Sequence, residues 1–137
     1  MAEGIDRYES RLRKPFDLSW QLLPHSNRDG EAARSEESQR ILDKLDAQHV
    51  TILLDERGSL FDSPTVAARL QSAFDSGRKV TLIIGGAFGV DERVRARADV
   101  VWSLSKLVLP HQLVRLVLVE QLYRSQEIVG GRPYHHL

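Results

Sequence analysis

The chain has no cysteine. Disulfides, thiolate nucleophiles and cysteine-ligated zinc are therefore excluded. It also has no net charge: 19 Lys+Arg balance 19 Asp+Glu. Without an overall positive field the surface has little pull on a phosphate backbone, so tight non-specific nucleic-acid binding is not expected. Long apolar runs are missing too. The longest, Leu113–Val119, is broken by Arg115 and is far shorter than the roughly 20 residues needed to span a bilayer. The polar opening from Ala2 to Lys14 does not read as a signal peptide. There is no internal repeat and no low-complexity segment. The G-x-G-x-x-G dinucleotide pattern and the P-loop are absent, because Gly85, Gly86 and Gly89 have the wrong spacing. These absences leave a cytoplasmic protein with no membrane partner, and 137 residues read as one domain spanning 1–137.

What is present alternates between strand and helix. Residues 2–12 read as a helix with Ile5, Tyr8 and Leu12 on one face. Phe16, Leu18, Trp20 and Leu22 alternate with polar residues, the pattern of a half-buried strand. A loop from Pro24 to Gly30 leads to a helix over Glu31–Leu45 that buries Ile41, Leu42 and Leu45. Val50–Leu54, Val80–Ile84 and Val100–Leu104 are short apolar runs of strand length. Between them, Ser63-Pro64 signals a helix start, with Ser63 as cap, and Gly77 its stop. Asp91–Ala98 reads as a short helix and Pro110–Val129 as a long one. Three near-continuous apolar strands separated by helices indicate an α/β fold, a parallel-rich sheet with helices on both faces. The last helix is apolar almost all round, so it needs more than one covering surface, and a second subunit is one candidate.

Ligands of open parallel sheets gather at the carboxyl ends of the strands. Here those ends are Leu54, Ile84 and Leu104. Gly85-Gly86 after the second strand either makes a tight turn or lets a backbone approach a ligand. His111 opens the last helix, where a lone histidine is more often structural than catalytic. His135 and His136 are adjacent on a tail and point opposite ways, so no metal site is expected. From Val100 onward four Lys/Arg face two Asp/Glu, with three of the five histidines. Arg124 and Arg132 flank the tail, as solvated charges or as phosphate-binding forks.

Four segments carry a resemblance that covers nearly all of the chain. They are LLDERG (Leu53–Gly58), LIIGGAFGV (Leu82–Val90), WSLSKLVLPHQLVRLVLVEQLYR (Trp102–Arg124) and GRPYHHL (Gly131–Leu137). In order and spacing the chain resembles the ribosomal large-subunit pseudouridine N3-methyltransferases of the RlmH type, in the SPOUT superfamily. That resemblance implies an α/β sheet with a C-terminal trefoil knot and a homodimer that uses the last helix. It implies S-adenosyl-L-methionine held by Leu54, Gly85, Gly86 and the loop Lys106, Leu107, Val108, Leu109, Pro110, His111. It implies methylation of N3 of a pseudouridine in large-subunit rRNA, with the assembled ribosome as partner. The catalytic residues carried over are His135, Tyr134 and Arg124. Histidine's intrinsic range suits His135 to act as general base, Tyr134 can stack on the base, and Arg124 can hold a phosphate or favour the ionised base. Two departures stand out. The family opens with an apolar strand before the first helix, and this chain starts at the helix, so the sheet is expected to lack that strand. The family follows Tyr-His with a basic residue, where this chain has His136-Leu137. The missing strand raises an alternative, a catalytically impaired RNA- or ribosome-binding homologue.

Overall fold

The computed structural model describes residues 1–135, and its sheet is built from the three apolar runs. β1 (Val50–Leu60) lies between β2 (Val80–Ile84) and β3 (Val100–Ser103), and both pairings are parallel. A central parallel strand is covered on both faces and has no polar side, which is why Val50–Leu54 contains no period-two alternation. Ile52 and Leu53 point to opposite faces and are both buried. The β1–β3 register is secured from the side: Asp99, just before β3, accepts the Thr51 N–H at 2.8 Å and donates its own N–H to the Thr51 carbonyl at 2.8 Å.

Two helical layers cover the sheet. On one face α3 (Ser63–Asp75) and α5 (His111–Val129) pack against Ile52 and Trp102 through Val66, Leu70, Leu118 and Leu122. On the other, α2 (Gly30–Leu42) and α4 (Glu92–Arg97) cover Leu53 and Ile83 through Ile41, Leu42 and Val94. Each large side chain fully buried in such a layer contributes about 1.5–3 kcal/mol. No helix among the described residues is long and apolar enough to cross a membrane.

The start of α3 differs in detail from the sequence reading. Asp62, not Ser63, is the cap, accepting the Thr65 N–H at 2.8 Å with Pro64 in the first turn. Ser63 instead donates its hydroxyl to Gln121 Oε1 on α5, 2.7 Å away. The stop is as expected, with Gly77 at φ 77.

The expected strand over Phe16–Leu22 does not form. Burial alternates only as far as Trp20, and Leu22 is 72% exposed. The apolar side chains of this segment join the α3/α5 layer and pair with no sheet edge. Phe16 meets Phe74 edge-on at 5.1 Å, and Trp20 donates its indole N–H to Glu9 with the Arg115 guanidinium 5.7 Å from its ring centroid. The segment therefore straps α1 (Ala2–Glu9) to α5. Gln126 completes the strap, accepting the Arg13 N–H at 2.6 Å and donating to the Arg11 carbonyl at 3.0 Å. α5 is thus covered by α3 and α1 within one chain, which accounts for much of its all-round apolar pattern.

β1 runs past Leu54, but not regularly. Leu54 and Ser59 both stand opposite Trp102, so Asp55–Gly58 bulge out of the β1–β3 pairing. A Cβ on Gly58 would lie 2.5 Å from the Val101 carbonyl oxygen. Gly58→Ala should therefore lower stability by about 1–3 kcal/mol, the usual cost of overpacking. Urea unfolding measures this, and an unchanged midpoint would mean the bulge can open without loss.

Candidate functional site

The strand register sets the site. Leu54 is paired with Ile84 on one side and Trp102 on the other, so β2 ends level with Leu54 and β3 one residue beyond, at the point where β1 begins to bulge. Gly85-Gly86 and the segment Leu104–Pro110 leave from this common edge. Gly85 is closely hemmed, since a Cβ there would come within 3.1 Å of Val90 Cγ1. At Gly86 a Cβ would collide with the Glu37 carboxylate of α2. Glu37 Oε2 accepts the Ser26 N–H at 2.8 Å, while Oε1 is buried without a partner. A side chain at either position would have to displace Val90 or Glu37, so the backbone here is closely packed and half-buried at the strand end.

The third loop is held locally. Ser103 donates its hydroxyl to the Ser105 carbonyl at 2.8 Å, and Ser105 Oγ accepts the Leu107 N–H at 3.0 Å. Lys106, Leu107, Val108, Pro110 and His111 are exposed, and Leu109 is half-buried. Leu107 and Val108, at 71% and 82% exposure, offer apolar surface with nothing on it. Pro110 precedes α5, and no capping side chain serves the N–H groups of the helix's first turn. An exposed, largely apolar loop can offer its side chains to the faces of a flat ring, which needs no countercharge.

The tail is a folded element. α5 ends at Gly130, and Gly131 takes φ 69 to reverse the chain. Arg132 pairs with Glu127, which sends Pro133 and Tyr134 back along the helix. Tyr134 meets Tyr123 edge-on at 4.8 Å and shares a 3.2 Å hydrogen bond with Tyr8 of α1. Arg124 donates from Nε to Glu120 Oε1 at 2.9 Å, from Nη2 to the same oxygen at 2.7 Å, and from Nη1 to His135 Nδ1 at 2.9 Å. Tyr134 donates to Glu120 Oε1 at 3.4 Å, and its ring lies 4.9 Å from the Arg124 guanidinium carbon. The three residues named from the sequence, Arg124, Tyr134 and His135, are thus in one assembly. Glu120 and Tyr8 belong to it and were not foreseen, although Glu120 stands four residues before Arg124, the spacing of a helical ion pair. His136 lies outside the described residues.

The charges are well defined. Burial, the Tyr8 hydrogen bond and the Glu120 charge all push the Tyr134 phenol up, so it stays protonated. The Glu120 carboxylate raises Arg124 further above its ordinary value. Across the site, the Thr65 hydrogen bonds hold the Asp62 carboxyl below its usual value, with a smaller contribution from His135. Between Asp62 and His135 lies a cleft of about 520 Å³, lined also by Phe61, Trp102, Leu104 and Gln121. Trp102 and Leu104 bring the end of β3 into it, so the tail and the strand-end loops share a border.

The family model described as "Predicted SPOUT methyltransferase" matches residues 1–135. A protein of Syntrophotalea carbinolica named ribosomal RNA large subunit methyltransferase H is 41% identical over 99% of this chain and 90% of its own length. Proteins of that name from Geobacter metallireducens and Thioalkalivibrio sulfidiphilus are each 38% identical. They match over 99% and 93% of this chain and over 90% and 85% of their own lengths, respectively.

The residue after Leu54 supplies a pH test of the strand-end region. Burial pushes the Asp55 carboxyl up, but hydrogen bonds from Arg57 and Arg95 outweigh it and hold it below its ordinary value. The Arg95 contact from α4 is 2.6 Å. A depressed carboxylate stabilises the fold above its unfolded value of about 3.9 and loses that contribution as pH falls through the folded one. Asp55→Asn should cost about 1.5–3 kcal/mol at pH 7, the range for hydrogen bonds to a charged group. The difference between wild type and variant should shrink below about pH 4. Thermal unfolding of both proteins across that range checks the sign, and a constant difference would exclude Asp55.

Proposed function

The chain belongs to the SPOUT methyltransferase family, and on that footing we propose that it methylates N3 of a pseudouridine in large-subunit ribosomal RNA with S-adenosyl-L-methionine as donor. The observation that carries the reading is the meeting of Arg124, Tyr134 and His135 beside a cleft that opens at the strand ends. Tyr134 and His135 follow Arg124 by ten and eleven residues, and the reversal at Gly131 lays them back against it.

The donor would be held by Leu54, Gly85, Gly86 and the loop Lys106–His111, where the close packing at both glycines and the exposed apolar backbone fit a flat, neutral ring. When bound, it supplies an electrophilic methyl group on a sulfonium. The chain's own work is positioning, since transfer needs donor carbon, sulfur and attacking nitrogen nearly in line. Leu107 and Val108, exposed in the free chain, offer apolar surface against which the donor can pack. Tyr134, neutral and fixed at both its ring and its hydroxyl, presents a rigid aromatic edge to the nucleobase. His135, which borders the cleft, is the side chain assigned to the reacting imide.

The substrate is read as the assembled ribosome. A chain with no net charge has little affinity for naked RNA, so recognition falls to a composite protein–RNA surface, in the cytoplasm. A homodimer through α5 and a knotted C-terminal passage, both implied by the family resemblance, are parts of the same proposal.

Incubation with labelled S-adenosyl-L-methionine should place methyl groups in large-subunit rRNA from whole ribosomes and not in free rRNA. Absence of label from folded protein would leave an RNA- or ribosome-binding homologue. His135→Ala should lose turnover while donor affinity, measured by calorimetry, stays unchanged. Gly86→Ala should do the reverse, weakening donor binding by roughly tenfold, the equivalent of about 1.4 kcal/mol; unaltered affinity would remove Gly86 from the donor site.

A further inference from the structure

The hydrogen bond between Arg124 and His135 has a direction. A guanidinium can only donate, so at 2.9 Å from Arg124 Nη1 the imidazole Nδ1 must present its lone pair. The one proton of the neutral ring then sits on Nε2. That Nε2 is buried and has no partner among the described residues, while the ring borders the cleft. A buried N–H without an acceptor is a group prepared for an acceptor that arrives from outside.

Arg124 is itself immobilised. Its Nε and Nη2 both donate to Glu120 Oε1, at 2.9 and 2.7 Å. Glu120 also accepts from Tyr134 and, through Oε2, from Gln121 Nε2 at 2.7 Å. The guanidinium therefore directs three of its five N–H groups to Glu120 and His135. The charged groups around the ring are Arg124 and Glu120 on α5 and Asp62 at the start of α3.

We propose that Glu120 is a positioning residue that, through Arg124, locks His135 in its Nε2–H form, so that His135 donates a hydrogen bond to a carbonyl oxygen of the substrate base. The proposal rests on the methyltransferase reading and replaces the general-base role expected for His135. The imide N3 is flanked by two carbonyls that share its negative charge once its proton has passed to solvent. An N–H donor on one of them stabilises that anion. The N3 lone pair then forms the new N–C bond while the sulfur keeps the electron pair of the broken S–C bond and becomes a neutral thioether. No side chain has to take up the proton within the site.

The first measurement needs no substitution. In wild-type protein with 15N-labelled histidine, NMR at a pH where the ring is neutral should show His135 protonated at Nε2 and bare at Nδ1. A proton on Nδ1 overturns the proposal. In Glu120→Gln the ring should sample both forms, with kcat lower by about tenfold (about 1.4 kcal/mol of barrier) and KM for S-adenosyl-L-methionine unchanged; a single unchanged form with wild-type kcat removes Glu120 from the role. His135→Ala should lose about 100-fold in kcat, the scale of one missing oxyanion donor. His135→Asn, which keeps an N–H donor but is not basic, should stay within about tenfold of wild type. Equal loss in both variants would restore the base. Wild-type transfer to whole ribosomes, run alongside, separates failure of this proposal from failure of the methyltransferase reading.

Discussion

Everything in this fold hangs on a strand that is hydrogen-bonded on both sides. β1 takes its neighbours in parallel, and parallel pairing forces each connection to cross over the sheet. The crossovers are the helices, and they bury both faces. With Leu54 level with Ile84 and Trp102, three chain exits are delivered to one edge. The glycine pair and the apolar loop are therefore brought together by register, not by contacts of their own. At Asp55–Gly58 β1 bulges before rejoining β3 at Ser59, with Asp55 tied across to Arg95 of α4.

The strand edge accounts for half of the site. The other half comes from α5, which works as a ruler for the tail. Glu120, Tyr123, Arg124 and Glu127 follow at spacings of three and four, so they line one helical face. Arg132 and Tyr134 read that face in reverse order once Gly131 has turned the chain. A single carboxylate, Glu120, gathers a guanidinium, a phenol and an amide around one point. Few arrangements on a helix surface hold so many polar groups still, and rigidity is what positional catalysis requires.

Much of this was legible in the residues. The three apolar runs gave the strands because parallel strands have only one kind of surface. Gly77 gave a helix end because a left-handed residue is most easily a glycine, and the glycine pair marked the strand end where a side chain has no room. The failures are equally physical. Phe16–Leu22 alternates like a strand, yet alternation records only which side chains are covered, and these are covered by α3 and α5 instead of by a sheet. Ser63 and Asp62 are both good caps, and the tie was settled by Gln121, a residue 58 positions away. The hydrogen-bond direction at His135 was beyond reach, because it depends on which nitrogen faces Arg124. Glu120 was within reach through its spacing from Arg124.

The Tyr8–Tyr134 hydrogen bond joins residues 126 apart. Closing so long a loop comes late, after the local helices and the sheet have formed. Gln126 grips the backbone of Arg11 and Arg13 just after α1, Tyr8 itself packs on Tyr123 of α5, and Tyr134 adjoins His135. The two ends of the chain therefore meet at one phenol: the first helix supplies one hydrogen bond to a tail whose other contacts among the described residues come from α5.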